Sequence, residues 1–145
     1  MKNSPTGYSF ILVSLQMICI ATLLFADRSP TMISHVFLAI ALTIAIWAFW
    51  ELRRQFSVFP EPLTQKSLVK TGPYAYTRHP MYLALIIWGI GKLLSVSSWL
   101  VFFTFFTLLI VLICKIRHEE KLLTKVYPEY SKYKEKTFAI IPIIF

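Results

Sequence analysis

The sequence predicts an all-α integral membrane protein: a bundle of about four transmembrane helices with a cytoplasmic helical extension at the C-terminal end. Two observations carry this prediction. Hydrophobic residues make up 57% of the chain and charged residues 15%, against roughly 45–50% and 25% in a soluble domain. The apolar residues are also clustered, because residues 7–26, 29–50 and 93–114 are uncharged runs of 20, 22 and 22 residues. About 20 such residues are enough to cross a bilayer core.

The first two crossings are predicted at residues 8–26 and 32–50. Gln16 is the only strongly polar group of the first, and we expect it to form a hydrogen bond to another helix. Trp47 and Trp50 lie at one end of the second, where indole rings favour the membrane interface. His35, near the other end, is expected to be interfacial. Residues 1–50 are therefore interpreted as two scaffold helices that carry no chemistry.

Residues 51–79 are predicted to form a cytoplasmic loop. Pro60 and Pro62 prevent a long helix there. Phe56 and Phe59 make the loop too apolar for a free linker, so we expect it to pack on the membrane-facing core.

Residues 80–114 are predicted to form a helical hairpin. The first arm is uninterrupted only from residue 80 to 91 before Lys92 intervenes; a run that short can also be re-entrant or part of a core, and the sequence leaves open whether it spans fully. Because Lys92 lies near an end, it can snorkel to the interface. We interpret the segment as a short third crossing that leans on the more apolar fourth, with the turn at residues 95–98.

The fourth crossing, residues 99–114, is expected to continue into the cytoplasm as a helix through residue 126. Lys115 and Glu119 are four residues apart and share a face, whereas Glu120 is turned by about 100° from Glu119. The sequence does not decide which glutamate faces a pocket. Pro128 ends this helix and can begin another. Residues 1–145 thus form one domain, whose tail, residues 115–145, completes the cytoplasmic end.

The distribution of charge predicts the orientation. The net charge is +8, and with four crossings 13 of the 15 basic residues fall on the side that holds both termini and the loop. The positive-inside rule places that side in the cytoplasm, and we expect a bacterial-type inner membrane. The net positive charge is thus explained by membrane topology, without nucleic-acid binding. A cleaved signal peptide is excluded by the length of the first apolar run. Cys19 and Cys114 lie inside apolar runs without metal-ligand spacing, so no metal is expected.

Residues 68–82 form a polar, turn-rich stretch between apolar runs. Gly72-Pro73 marks a turn, and Pro80 fits the first position of a helix with His79 at the cap. The N–H groups of such a helix start, with Arg78 beside them, suit a carboxylate or phosphate. Alone, the stretch fits equally well an interfacial loop that contacts lipid headgroups.

A second motif lies in the tail. Glu119-Glu120 is followed by Leu123, by Tyr127-Pro128-Glu129-Tyr130 and Tyr133, and by Ile141-Pro142. Together with Gly72-Pro73-Tyr74 and Arg78-His79-Pro80-x-Tyr82, this pattern resembles the isoprenylcysteine carboxyl methyltransferase and phospholipid methyltransferase group of membrane enzymes. The resemblance covers roughly residues 63–145.

The resemblance implies an S-adenosyl-L-methionine-dependent methyltransferase whose cofactor binds at the cytoplasmic side. Arg78 and Glu120 are the implied catalytic residues. Lys115, where many relatives have Arg, and Arg117 are the implied substrate-binding residues. The implied cofactor contacts are Lys66, Ser67, Leu68, Val69, Tyr74, His79, Pro80, Met81, Tyr82 and Glu119.

The implied acceptor is lipidic, for example a prenylated cysteine, and is expected to enter from the bilayer between the third and fourth crossings. A carboxylate nucleophile needs no base, whereas an amine or thiol needs one, for which Glu120 and His79 are the candidates. Because these are the only titratable candidates nearby, we favour carboxyl O-methylation. A phospholipid amine N-methyltransferase, a nicotinamide-dependent membrane reductase and a non-catalytic lipid-binding membrane protein stay open as alternatives.

Overall fold

The computed structural model describes residues 6–26, 31–52 and 68–140, and within them the protein is helical. Five α-helices follow in order: α1 (Gly7–Phe25), α2 (Met32–Leu52), α3 (Pro80–Ser95), α4 (Trp99–Val126) and α5 (Tyr130–Lys136). A short 3-10 helix (Gly72–Ala75) precedes α3. The predicted all-α membrane bundle with a helical C-terminal extension is confirmed.

Three of the described helices, α1, α2 and α4, are long and apolar enough to cross a membrane. Helix α3 is apolar but has only 16 residues, or about 24 Å at 1.5 Å per residue, which is less than the roughly 30 Å of a bilayer core. The predicted third crossing is therefore present as a helix of reduced length. Its glycines bring it close to its neighbours, since a Cβ on Gly91 would collide with the side chain of Phe37 on α2.

Helices α2 and α3 run antiparallel, and polar contacts fix both ends of the pair. At one end the Thr31 hydroxyl donates to Ser95 Oγ at 2.7 Å. At the other end the Thr71 hydroxyl, just before the 3-10 helix, donates to Glu51 Oε2 at 2.8 Å. The start of α3 and the end of α2 therefore lie at the same end of the bundle.

Helices α1 and α4 form the second antiparallel pair. Ser9 Oγ, in the first turn of α1, lies 3.5 Å from His118 Nε2 on α4, and the Tyr8 ring is 5.2 Å from the His118 ring. One end of the bundle thus collects the start of α1, the end of α2, the start of α3 and the extension of α4. That end holds the predicted site.

Lys92 is buried in the bundle. It is 7% exposed, and its Nζ lies 6.0 Å from the centre of the Trp88 ring. Its ammonium therefore lies near an aromatic ring, where a cation–π contact can form. Whether it reaches the membrane interface stays a prediction.

Candidate functional site

The start of the site is a tight turn that only glycine adopts without strain. Gly72 has φ +59°, in the left-handed region, and a Cβ there would lie 2.5 Å from Glu51 Cγ. The turn leads into the 3-10 helix, in which the Tyr74 side chain is buried. Burial and the nearby Glu119 carboxylate raise the pKa of Tyr74, so its hydroxyl stays protonated at neutral pH.

The first turn of α3 presents the next group of side chains. His79 is the N-cap and Pro80 occupies the first helical position, where its missing N–H removes no helical hydrogen bond. The His79 ring stacks on the Tyr82 ring with 5.4 Å between centres. Tyr82 then donates its hydroxyl to Glu119 Oε2 at 3.0 Å, and His79 Nδ1 lies 3.7 Å from the same oxygen. Tyr82 therefore contacts both His79 and Glu119.

Arg78 and Glu120 form a buried ion pair behind this group. Arg78 Nε donates to Glu120 Oε1 at 2.7 Å, and the two side chains are 3% and 11% exposed. Burial alone would raise the pKa of Glu120, but contacts from His79, Lys134 and Arg78 outweigh it and lower that pKa to about 2. Glu120 is therefore an ionised partner of Arg78 at every physiological pH.

The C-terminal tail is fastened to the same loop. Arg78 Nη1 donates to the carbonyl oxygens of Lys134 and Thr137. The Arg78 N–H donates to Phe138 O at 2.8 Å and the Phe138 N–H donates to Tyr76 O at 3.1 Å, which forms an isolated parallel bridge. The His79 N–H also donates to Ala139 O at 3.1 Å. The tail after α5 therefore holds the residues immediately before α3 in place.

A second tie joins α5 to the 3-10 helix. The buried Tyr133 hydroxyl donates to the carbonyl oxygen of Tyr74 at 2.6 Å. Since the Lys134 carbonyl on α5 also accepts a hydrogen bond from Arg78, the extension supports residues that line the site.

Helix α1 contributes the side chain of Gln16 to the site. Gln16 Oε1 accepts a hydrogen bond from Lys115 Nζ at 2.6 Å, so the predicted interhelical role of Gln16 is confirmed. Lys115 is 1% exposed, and its Nζ also lies 5.2 Å from the centre of the Tyr82 ring.

These side chains surround a cavity of about 470 Å³, within the size range of small-molecule sites. One end is polar, and the rest runs along the apolar faces of α1, α2 and α3. The polar wall contains Gln16, Tyr74, Arg78, His79, Tyr82, Lys115 and Glu119, and the apolar wall contains Ile20, Leu24, Leu38, Ala41, Leu42, Ala45, Leu52, Pro80, Met81, Ala84, Leu85 and Trp88.

The apolar part of the cavity is lined by partly exposed side chains. Leu24 on α1 and Leu38 and Leu42 on α2 line the cavity and are also 55%, 38% and 50% exposed. The expected access of the acceptor between the third and fourth crossings stays a prediction.

Most of the predicted site residues come together. Tyr74, Arg78, His79, Pro80, Met81, Tyr82, Lys115 and Glu119 all line this one cavity. Of the two glutamates that the sequence left undecided, Glu119 lines it, while Glu120 lies behind Arg78. Their functional roles stay predictions.

Other predicted residues lie elsewhere. Arg117 is exposed and does not line the described cavity, because two residues beyond Lys115 the helix has turned by about 200°. Leu68 and Val69 are half-buried without lining it. Lys66 and Ser67 lie outside the described residues.

The sequence interpretation missed the contribution of the first two helices. Both were treated as scaffold, yet α1 and α2 form the apolar wall of the cavity together with α3. The one available signal was Gln16, since an amide in an otherwise apolar helix requires a partner.

Fold and site define an integral membrane protein with a pocket that is polar at one end of the bundle and apolar along the rest of its length. The family model for phospholipid methyltransferases matches residues 30–130, which is more than half of the chain. The chain therefore belongs to the phospholipid methyltransferase family.

A curated relative agrees with this family. The chain is 42% identical over 81 residues to a protein-S-isoprenylcysteine O-methyltransferase of Saccharomyces cerevisiae, and the match covers 53% of this chain. It covers only 33% of the yeast protein, so this chain spans a third of the length of that relative.

Proposed function

We propose that this protein transfers a methyl group from S-adenosyl-L-methionine to the carboxylate of a lipidic acceptor at the cytoplasmic side of the membrane. The observation that carries the proposal is the continuity of one cavity, which joins a polar end at the start of α3 to an apolar slot lined by partly exposed leucines of two membrane-length helices. In such a cavity a water-soluble cofactor can bind at the polar end while the apolar chain of a lipidic acceptor stays in an apolar environment.

The residues at the polar end fit the cofactor. His79 is 5% exposed, and its Nε2 has no hydrogen-bond partner among the described residues, although Glu120 Oε1 lies 3.5 Å away. The His79 residue lines the cavity, so its ring can contact a bound ligand. Glu119 supplies a carboxylate that accepts hydrogen bonds from an amino group or from ribose hydroxyls. The Tyr74 and Tyr82 rings can contact a sulfonium cation through their faces.

The apolar slot fits the acceptor. A prenyl or acyl chain can lie along Leu24, Leu38 and Leu42, partly in the protein and partly in lipid, while its head group reaches Lys115 and Tyr82. The similarity to an isoprenylcysteine O-methyltransferase supports a prenylated cysteine as the acceptor.

The bound cofactor would supply an electrophilic methyl group. The chain itself has to align the two reactants, and such alignment contributes about 7–11 kcal/mol to catalysis. Glu120, one of the two candidate bases, is held ionised behind Arg78 with its pKa near 2. A group of that pKa is a poor proton acceptor at neutral pH, which favours an acceptor that is nucleophilic without deprotonation. On this view Arg78 and Glu120 act by holding His79 and the tail in position.

The cofactor assignment can be tested by binding. Purified protein in detergent is titrated by calorimetry with S-adenosylhomocysteine, with NADPH and with lipid alone. We expect binding of S-adenosylhomocysteine that weakens about tenfold or more in His79→Ala and Glu119→Gln, because each variant removes a hydrogen bond to a charged or polar ligand group.

Two matched variants serve as controls for this titration. His35→Ala removes a histidine whose Nδ1 lies 2.8 Å from the Thr31 carbonyl at the opposite end of α2, and Glu135→Gln alters an exposed carboxylate on α5. Both are expected to bind like the wild type. Binding of NADPH in place of S-adenosylhomocysteine would contradict the proposal, as would unchanged binding in His79→Ala.

The acceptor is tested with a labelled methyl group. Vesicles that contain the protein receive methyl-labelled S-adenosylmethionine with either a prenylated cysteine or phosphatidylethanolamine. A methyl ester releases volatile methanol in base and an N-methyl group does not, so base treatment separates the two products. We expect base-labile label with the prenylated cysteine; stable label on phosphatidylethanolamine would instead indicate amine methylation.

A further inference from the structure

The apolar slot of the cavity ends at a tryptophan. On α3 the lining residues Pro80, Ala84 and Trp88 are four residues apart and therefore share one face of the helix. Among the residues that the structure describes, none of α3 beyond Trp88 lines the cavity, although the helix continues to Ser95. Trp88 thus lies at the deep end of the slot, away from the polar groups at the start of α3.

The depth of the slot follows from the rise of its helices. The lining residues on α1 extend from Gln16 to Leu24, and those that share a face of α3 extend from Pro80 to Trp88. Each pair is eight residues apart, or about 12 Å at 1.5 Å per residue. An extended backbone advances about 3.5 Å for every three bonds, so the slot has room for about ten bonds between its polar end and Trp88.

Two close contacts between helices close the bundle just beyond Trp88. A Cβ on Gly89 would collide with the Phe105 ring on α4, and a Cβ on Gly91 would collide with the Phe37 side chain on α2. Helix α3 therefore approaches both neighbours closely at this level. These approaches fill the space into which the slot would otherwise continue.

The indole of Trp88 is also held in place. It is 8% exposed and belongs to the same buried core as Leu23 of α1 and Leu108 of α4. The Lys92 ammonium lies 6.0 Å from the centre of its ring. The slot before Trp88 is lined by small side chains, those of Ala41, Ala45 and Ala84. An apolar chain can therefore pass the alanines and then meets a fixed aromatic ring.

We propose that Trp88 determines the length of the apolar chain that the acceptor carries, because the chain ends against the indole. The inference rests on the proposed function and deepens it by naming what sets the length of the chain. A chain of about ten bonds corresponds most closely to a farnesyl group, whereas a geranylgeranyl group is longer by one isoprene unit.

The test compares acceptors that differ only in chain length. The N-acetylated S-geranyl, S-farnesyl and S-geranylgeranyl cysteines carry the same head group, and kcat/KM for methyl transfer is measured for each with the protein in vesicles. For wild type we expect the farnesyl acceptor to be preferred over the geranylgeranyl acceptor by about tenfold or more, since even one methylene group that does not fit a hydrophobic pocket changes specificity by about tenfold. Equal kcat/KM for the two overturns the inference.

Substitutions at two depths of the slot should change the preference in opposite directions. Trp88→Leu deepens the slot, so the ratio of kcat/KM for the geranylgeranyl acceptor to that for the farnesyl acceptor should rise about tenfold or more. Ala84→Leu fills the slot one turn nearer the polar end, so the preference should move to the geranyl acceptor. Differences in partitioning between the acceptors and the vesicles cancel when these ratios are compared with wild type.

Trp99→Leu is the matched control for Trp88→Leu. Trp99 is 76% exposed and does not line the described cavity, so the variant should keep the wild-type ratios. The Kd of S-adenosylhomocysteine should stay within twofold of wild type in all variants, because the slot lies beyond the proposed cofactor end. A variant that is only destabilised loses kcat/KM for the three acceptors in parallel.

Several results overturn the inference. An unchanged ratio in Trp88→Leu shows that the indole does not limit the chain, and an equal change in Trp99→Leu shows that the effect is not specific to the slot. If Kd for S-adenosylhomocysteine rises in parallel, the substitution acts on the cofactor end. If Trp88→Leu does not fold, the milder Trp88→Phe and the wild-type length series decide the question. Failure of the proposed function looks different, because then wild type methylates none of the three acceptors.

Discussion

Replacing Glu120 by Gln is expected to destabilise the protein strongly, because it removes the charge that balances Arg78 inside the bundle. Arg78 Nε lies 2.7 Å from Glu120 Oε1, and the side chains are 3% and 11% exposed. The pKa of Glu120 falls from its ordinary 4.5 to about 2. At about 1.4 kcal/mol per pKa unit this corresponds to about 3 kcal/mol, and solvent on the Lys134 side reduces it to about 2–3 kcal/mol.

The pH dependence follows from the direction of that shift. Because the pKa of Glu120 is lower in the folded state, its stabilising contribution is complete above the unfolded pKa of about 4.5 and is lost as the pH falls towards about 2. The unfolding free energy of wild type should therefore fall across that range more steeply than that of Glu120→Gln. Between pH 6 and pH 8 the difference between the two proteins should be constant.

The assay is denaturant-induced unfolding in detergent micelles at several pH values. Lys134→Ala is a graded comparison: Lys134 Nζ contacts Glu120 Oε2 at 2.7 Å but is 54% exposed, so its loss should cost less than about 1 kcal/mol. Glu135→Gln, on the exposed side of α5, should cost nothing measurable. The reasoning is refuted if Glu120→Gln unfolds with the same free energy as wild type, or if Lys134→Ala costs as much as Glu120→Gln.

Two further predictions concern the walls of the site. Gly72→Ala should destabilise the protein by about 1–2 kcal/mol, since its φ of +59° is strained for any residue with a Cβ; the midpoint of thermal unfolding measures this. Tyr133→Phe should destabilise by about 1–2 kcal/mol, because it leaves the buried Tyr74 carbonyl without the hydroxyl that donates to it at 2.6 Å. It should also weaken binding of S-adenosylhomocysteine, because Tyr74 lines the cavity.

Matched substitutions separate these effects from general damage. Gly7→Ala adds a methyl group where no atom lies within 4 Å and should leave the thermal midpoint unchanged. Tyr76→Phe removes a hydroxyl from a side chain that is 72% exposed. If Gly72→Ala has the same thermal midpoint as Gly7→Ala, the argument from backbone strain at Gly72 is wrong. If Tyr133→Phe has the same stability as Tyr76→Phe, the hydrogen bond between α5 and the 3-10 helix does not stabilise the protein.

The sequence predicted those parts of the molecule that depend on local pattern. The length and uninterrupted hydrophobicity of residues 7–26 and 29–50 correspond to α1 and α2. The chemistry of His79-Pro80 placed the start of α3 correctly, because an N-cap and a proline at the first helical position are properties of neighbouring residues. The continuation of α4 to Val126 also followed from local periodicity.

The remaining features depend on contacts between distant segments. Nothing local indicates that the Arg78 guanidinium binds the carbonyls of Lys134 and Thr137. The partner of Gln16 could not be identified either, since the membrane requires only that an amide be paired and does not specify where. The apolar wall of the cavity was missed for a related reason: apolar residues on α1 and α2 look the same in sequence whether they face lipid or a cavity.

The bridge between the segment before α3 and the tail after α5 has a consequence for the order of assembly. Phe138 and Ala139 provide the carbonyls that hold the backbone of Arg78 and His79, and they follow all five helices in the chain. Synthesis from the N-terminus therefore produces the helices before it produces the segment that fixes the residues at the start of α3.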